Sequence, residues 1–422
     1  MTVMLGMRGN GDWVDDQRPK SWREMILRLY PNGSMPLTGI TSQIGSEALT
    51  DPEFNWWTKA LASQGGAVTN VYTDSGMTAA YVSGGVAGQA LYVKCAEAVA
   101  EEIRAGHQVL LRDASDLDVD VNAKVTSVLL NGANSRVSVK LLEADDNSSN
   151  GDLSDCDAIL VVGNINAEGA VMPDPIAYNP TKIYNYSQIF RTPLSMTRTA
   201  KKTKLRTDDQ WAEAKREALE LHGIEMEKAF LFSIATEGTG SNGKPERTTG
   251  GLVQAVKSYG VNANYVTDAN YAGKAWLTGG EEWLDSTLEQ IFRYGEAEKM
   301  AICGSGTILG INRLAKASGQ LQLMPTTLAY GIRVMEWITP FGSIYMKTHP
   351  LFSYDAATRN SMLIFEPKNL KYRYIDDTRY IDQSNTSTAD GEEGEYLTEC
   401  GLEYHFPNGW GWLNGFNQAN TV

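Results

Sequence analysis

Thr207-Asp208-Asp209-Gln210-Trp211-Ala212-Glu213-Ala214-Lys215-Arg216-Glu217-Ala218-Leu219-Glu220-Leu221-His222-Gly223-Ile224-Glu225-Met226-Glu227-Lys228-Ala229-Phe230-Leu231-Phe232-Ser233-Ile234-Ala235 is the stretch whose reading decides the fold. It opens with a capping box, in which the Thr207 hydroxyl accepts from the Gln210 amide and Gln210 reaches back. Two aspartates suit the positive start of a helix. From Trp211 to Ala235 nothing breaks a helix apart from the tolerated Gly223, and Gly238 supplies a stop. The spacing predicts a helix over 207–237, on the order of 45 Å long. Leu219, Met226, Phe230 and Ser233 share one stripe, and Trp211, Ala214, Ala218 and Leu221 begin another beside it. Both are expected to pack on a sheet while Glu213, Arg216, Glu220 and Lys228 stay wet. A rod of this length reads as a structural spine.

Immediately upstream the chain is strongly basic. Arg191, Arg198, Lys201, Lys202, Lys204 and Arg206 occur with no acidic residue between 191 and 206, in a chain whose formal net charge is −14. Three readings stay open. Lysines and arginines keep a strand edge soluble; they meet an acidic patch on another subunit; or, with Tyr184, Tyr186 and Phe190 for stacking, they touch nucleic acid.

Further out, residues 67–206 alternate turns and strands, at Gln89–Val93, His107–Leu111, Val119–Leu130, Ser135–Leu142 and Ala158–Val162, with a possible helix at Ala96–Arg104. This predicts a small β subdomain over about 107–165, inserted in a longer excursion. Residues 1–66 read as an extended arm with a short helix at Ser21–Tyr30, ended by Pro31-Asn32-Gly33. Downstream of the rod, 238–279 looks loop-rich. Glu281–Glu298 and Thr307–Lys316 look helical, and Met300–Cys303, Gly331–Ile338, Ser343–Met346 and Met362–Phe365 look like strands. Leu370–Ile375 and Leu402–Phe406 are two late strands of one sheet, with an acidic loop between them that carries Asp376, Asp377, Asp382, Asp390, Glu392, Glu393 and Glu395.

Sites of chemistry are sparse. Gly238 to Lys244 matches seven positions of a phosphate-binding loop, but the eighth is Pro245, which has no hydroxyl for magnesium, and a helix precedes it where a strand is required. Cys303-Gly304-Ser305-Gly306 opens a helix after a strand, yet lacks the acid expected downstream for a ribose. A tight turn explains it as well. Asp116, Asp118 and Asp120, and the run Asp146-Ser148-Asn150-Gly151 ending at Asp157, are near misses of calcium loops. Cys95, Cys156, Cys303 and Cys400 form no C-x-x-C and read as reduced thiols. His107, His222, His349 and His405 make no H-x-x-x-H. No cofactor, metal or catalytic residue is therefore expected.

The 422 residues, 42% hydrophobic and 21% charged, suit two or three globular domains. Forty glycines and nineteen tyrosines fit many turns and a strong β component. No run of roughly 18 apolar residues exists, so no membrane helix is expected. The start lacks the basic-then-apolar order of a signal peptide, and synthesis in a cytoplasm is expected. The acidic balance argues against non-specific clinging to nucleic acid.

Four stretches resemble the major capsid proteins of tailed bacteriophages, and most of all a podophage-type group of major head proteins. They are Asn185-Tyr186-Ser187-Gln188-Ile189-Phe190; Lys204-Leu205-Arg206; Gln210 through Phe230; and Arg247-Thr248-Thr249-Gly250-Gly251-Leu252. The tail from Leu397-Thr398-Glu399 to Pro407-Asn408-Gly409 is similar too. The likeness covers about the second half of the chain and follows the order of parts in the first.

The resemblance implies an α+β chain with the Hong Kong 97 (HK97) type of capsid fold. Its parts are an N-terminal arm (1–66), an extended loop region (67–206), a peripheral domain with the spine helix (207–299 and 371–422) and an axial domain (300–370). It implies a structural protein and not an enzyme, which assembles into hexamers and pentamers of an icosahedral shell around double-stranded DNA. Scaffolding, portal and decoration proteins are the expected partners, in the host cytoplasm during assembly and in the virion afterwards. Arg191, Arg198, Lys201, Lys202, Lys204 and Arg206 become candidate contacts between subunits. An encapsulin-like compartment and a nucleotide-binding enzyme are the alternatives.

Overall fold

The computed structural model describes residues 46–59, 63–113, 120–145, 153–203, 209–318, 323–329, 332–383 and 390–420. The expected helix at Ser21–Tyr30 lies outside them, as do Lys204, Arg206, Thr207, Asp116, Asp118 and the 146–152 turn. The class is α+β. The chain forms two compact units: Trp57–Thr181, and the residues up to Trp56 together with those from Lys182 onward.

The unit Trp57–Thr181 is a closed barrel. Its strands run in the order Gly65–Tyr72, Ala90–Cys95, Arg136–Leu141, Asp120–Leu129, His107–Arg112 and Ala158–Asn164, and the last pairs with the first. All of these pairings are antiparallel. Apolar and polar residues alternate along the strands, so Val71, Leu91, Val93, Val109, Leu111, Ala123, Val125, Val137 and Val139 fill the interior. Each buried valine or leucine contributes about 1.5–3 kcal/mol over exposure. The barrel is wider than the 107–165 stretch read from the sequence. Without Gly65–Tyr72 and Ala90–Cys95 the remaining strands would keep two open edges, and closure removes them.

The other unit holds two large sheets. The larger has seven strands in the order Val261–Asn264, Gly411–Asn414, Met362–Phe365, Glu298–Cys303, Gly342–Thr348, Ile332–Thr339 and Leu323–Ala329. It joins segments that the sequence reading divides between peripheral and axial domains, because Met362–Phe365 pairs with both Glu298–Cys303 and Gly411–Asn414. The helix Trp276–Phe292 contributes Trp276, Trp283, Leu284 and Leu288 to the core on this sheet. It starts five residues before the expected Glu281, since Trp276 is anchored there by its indole N–H on the Gly310 carbonyl, 3.0 Å away. The expected loop over 238–279 contains an eight-residue helix, Leu252–Tyr259.

The smaller sheet has four strands in the order Ser46–Ala48, Leu370–Asp382, Gly391–Tyr404 and Gln188–Thr197. The long helix, Gln210–Phe232, lies on it; its 23 residues span about 35 Å. Its N-cap is Asp209, whose carboxylate accepts from the Trp211 amide at 3.0 Å, and the capping box expected at Thr207 lies outside the described residues. The helix also ends before Ala235. Ser233 is extended, its carbonyl accepts from the Gly251 amide at 2.8 Å, and the Ala235 amide donates to the Gln254 side chain at 2.8 Å. A side chain at Gly251 would press on the Ala229 and Leu231 carbonyls at 2.8 and 2.9 Å, so only glycine lets the two helices meet this closely.

The buried row on the long helix is Ala218, His222, Met226 and Phe230, joined by Glu227 and Leu231. An i+4 row is inclined to the helix axis. The contact line therefore crosses the stripes read from the sequence, and Leu219 and Leu221 fall on either side of it, 46% and 54% exposed. Phe190 on strand Gln188–Thr197 meets Phe230 edge-on at 6.5 Å.

Candidate functional site: the basic strand and its acidic partner

The acids expected in a loop after Ile375 stand largely on strands. Leu370–Asp382 and Gly391–Tyr404 form a long antiparallel hairpin, and the second of them pairs with Gln188–Thr197 over ten residue pairs, from Gln188 opposite Cys400 to Thr197 opposite Gly391. Opposite charges on adjacent strands stabilise such a pairing. Arg191 forks onto Glu395, with Nε 2.8 Å from Oε2 and Nη2 2.6 Å from Oε1. Arg198 donates to Asp390 at 2.8 Å, and Lys201 to Glu392. Lys202 is exposed at the end of the short helix Arg198–Lys202. Within one chain, then, three of the four described basic residues meet carboxylates of their own subunit.

These contacts differ in weight. Arg198 and Asp390 are 70% and 68% exposed, so the pair contributes at most about 1 kcal/mol. Glu395 is mostly buried and also accepts from the Gln383 amide at 2.6 Å, which makes its fork with Arg191 the firmer anchor.

Several polar groups buried around this sheet are satisfied by specific partners. Asn185 donates to the carbonyls of Gly250 and Leu402 at 3.1 and 2.7 Å and accepts from the Gly250 amide at 2.6 Å. It thereby ties the returning strand Thr181–Tyr186 to the turn before the helix Leu252–Tyr259 and to the last long strand. His222 sits between the Thr192 and Thr398 hydroxyls, 2.9 Å from Nδ1 and 2.7 Å from Nε2. Burial holds its imidazole below the usual range against the opposing pull of Glu225. Lys299 and Glu366 form a buried ion pair, and Glu366 also accepts from the Glu296 amide at 3.0 Å. None of the acids Asp390, Glu392 and Glu395 stood out as partners in the sequence, because they lie about 200 positions from the basic run; the charge signs alone were the available signal.

The near-miss motifs have structural explanations. Gly238–Lys244 lies in a hairpin of Thr236–Thr239 with Pro245–Thr248, not between a strand and a helix. Its tip borders an open groove of about 400 Å³ with Gln188, Ile189 and Glu399 on the other wall. At Gly304 and Gly306, where a dinucleotide phosphate would sit, the chain packs on itself. The two amides donate to the Ser361 and Arg359 carbonyls, both at 3.1 Å. Asp120 pairs with Arg112 at 3.1 Å. Among the described residues no group of three metal-ligating side chains comes together. Burial pushes the thiols up, to about 11 for Cys95 and about 12 for Cys156, Cys303 and Cys400, so they stay protonated and unreactive.

Comparison with known proteins agrees with this picture of a chain built for packing. A family profile described as SU10 major capsid protein matches residues 8–417. The major capsid protein of Pseudomonas phage PaMx41 is 23% identical over 442 residues, which cover 99% of this chain and 97% of that protein. Among solved structures, the capsid of a native GTA particle aligns over 94% of this chain and 95% of its own, at 10% identity and a TM-score of 0.42. The holo-SrpI encapsulin complex from Synechococcus elongatus PCC 7942 aligns over 58% and 78%, at 13% identity and a TM-score of 0.39. The family match spans nearly the whole length, and the chain belongs to the SU10 major capsid protein family.

Proposed function

We propose that copies of this chain close into hexamers and pentamers and build the icosahedral shell that encloses a phage's double-stranded DNA. The observation that carries this reading is the long helix laid along a charge-matched sheet, in a chain whose family match runs from residue 8 to residue 417. The resulting slab resembles the peripheral part of an HK97-type subunit. We assign the four-stranded sheet and long helix to that part, and the 300–370 segment with the strands it pairs to the axial part. The arm (1–66) and the excursion (67–206) reach toward neighbours. Repeated heterologous contacts generate closed rings. Each can be modest, because association costs absorb much of any single interface.

Scaffolding, portal and decoration proteins are the partners this role calls for, with assembly in the host cytoplasm and the work being assembly rather than catalysis. Lys202, Lys204 and Arg206 are the contacts between subunits we favour, and Arg191, Arg198 and Lys201 act there through the sheet edge they stabilise. Sedimentation velocity of the purified protein tests this reading. Rapidly sedimenting particles of uniform size are expected, and a chain that sediments only as a monomer or trimer under assembly conditions overturns it. Shells that carry a co-purifying enzyme and no DNA would favour an encapsulin-like compartment.

A further inference from the structure

The barrel carries a feature its fold does not need. Trp57–Thr181 contains sixteen Asp and Glu against seven Lys and Arg, yet four of those seven share the outer face of three adjacent strands. Lys94 stands directly opposite Arg136, and Lys124 directly opposite Lys140. The two pairs are about 13 Å apart, four residues along strand Arg136–Leu141. Tyr92, two residues before Lys94 on the same strand, pairs with Tyr72 of strand Gly65–Tyr72, and the Arg136 guanidinium stands over the Tyr92 ring at 5.7 Å.

Like charges directly opposite one another weaken a sheet. Here two such pairs occur side by side, and none of the four cations has an ion-pair partner among the described residues. Three nearby acids are engaged elsewhere. Asp120 pairs with Arg112, and Glu143 accepts from the Asn122 amide at 2.6 Å. The Asp74 carboxylate turns into its own loop and accepts from the Gly76, Thr78 and Ala79 amides. The arrangement costs stability. Among the described residues only Arg136 recovers part of this cost within one chain, by donating to the Ser75 carbonyl and standing over the Tyr92 ring. Such a face fits a surface that is neutralised from outside.

We propose that Lys94, Lys124, Arg136 and Lys140, with Tyr72 and Tyr92, form a docking face for the acidic surface of a second copy of this chain. A copy fits better than nucleic acid. In a shell each copy lies against others, which brings their carboxylates to this face despite the like net charge. Every copy offers carboxylates in excess, as the net charge of −14 requires. Complementary patches of this kind fix register and partner choice at an interface. The inference rests on the shell-building reading and assigns the barrel a place in it.

The test uses full-length particles assembled from a mixture of heavy-isotope-labelled and unlabelled copies. A carbodiimide joins lysine amines to carboxylates in contact with them, and mass spectrometry reads the linked peptides. Lys94, Lys124 or Lys140 should be joined to Asp or Glu peptides of the other isotope. The inference is overturned if these lysines link only within their own copy, or not at all, in particles where other lysines give mixed pairs. It is also overturned if Tyr72 or Tyr92 photocrosslinks to packaged DNA. Wild-type chain that forms no particles would instead sink the shell reading itself. As a second arm, the K124E/K140E double variant should keep the barrel's circular dichroism yet lower the yield of particles roughly tenfold or more, the scale of a lost interfacial charge pair. Unchanged yield contradicts the inference.

Discussion

Glu227 of the long helix and His349 meet in the core, with Oε1 2.8 Å from Nε2 and neither side chain reaching solvent. The Leu351 amide donates to His349 Nδ1 at 3.0 Å, so the ring proton sits on Nε2 and is given to Glu227. This one contact ties the helix to the segment that follows strand Gly342–Thr348. It adds a polar tie to the apolar packing of Met226, Phe230 and Leu231 with Met300, Ile302 and Leu363 of the larger sheet.

Replacing Glu227 by alanine removes the acceptor and leaves a buried donor. The expected loss is about 3 kcal/mol of subunit stability, the usual scale for a broken buried polar pair. Glu227→Gln keeps an acceptor at the same place and should lose less than half as much. Urea unfolding of the unassembled subunit measures both.

His222 predicts a dependence on pH. Burial depresses its folded-state pKa below the ordinary 6.5, so the unfolded chain takes up a proton where the folded chain does not. The stability it contributes is full above 6.5 and is lost as the pH falls through the lower folded value. The unfolding midpoint should therefore drop from about pH 7.5 to about pH 5.5, and should drop less in His222→Gln. Parallel curves for the two proteins would contradict this.

Gly304 is needed by packing. A methyl there would lie 2.2 Å from the Arg359 carbonyl oxygen and 2.8 Å from its Cα, and backbone cannot yield as a side chain can. Gly304→Ala should destabilise the subunit by about 1–3 kcal/mol, the usual cost of overpacking. Calorimetric titration with ATP or NAD should give no saturable heat for wild type or variant.

The basic strand separates two kinds of effect. Arg191→Glu places like charges at the Glu395 fork and should lower the melting temperature of the free subunit as well as reduce assembly. Lys202→Glu should leave the melting temperature unchanged and reduce assembly alone. Thermal melts alongside particle counts read the two apart.

How far the sequence discloses this protein depends on the distance between partners. Met362–Phe365 is found where its apolar run places it, and the barrel strands follow their alternation. Barrel closure was not legible, because Gly65–Tyr72 closes on Ala158–Asn164 about ninety residues away. Glu392 and Glu395 look like loop residues until Arg191 and Lys201, some 190 to 200 positions earlier, are laid beside them. Glu227 carries no sign of burial in the sequence, and its partner His349 lies 122 positions away. Local periodicity shows in a sequence. Pairing between distant charges does not.

The most direct measurement is electron microscopy of the purified full-length protein after assembly. Closed, uniform shells tiled by sixfold and fivefold rings of this subunit are the predicted result. A field of discrete small oligomers, with no closed particle at any protein or salt concentration, would contradict the account.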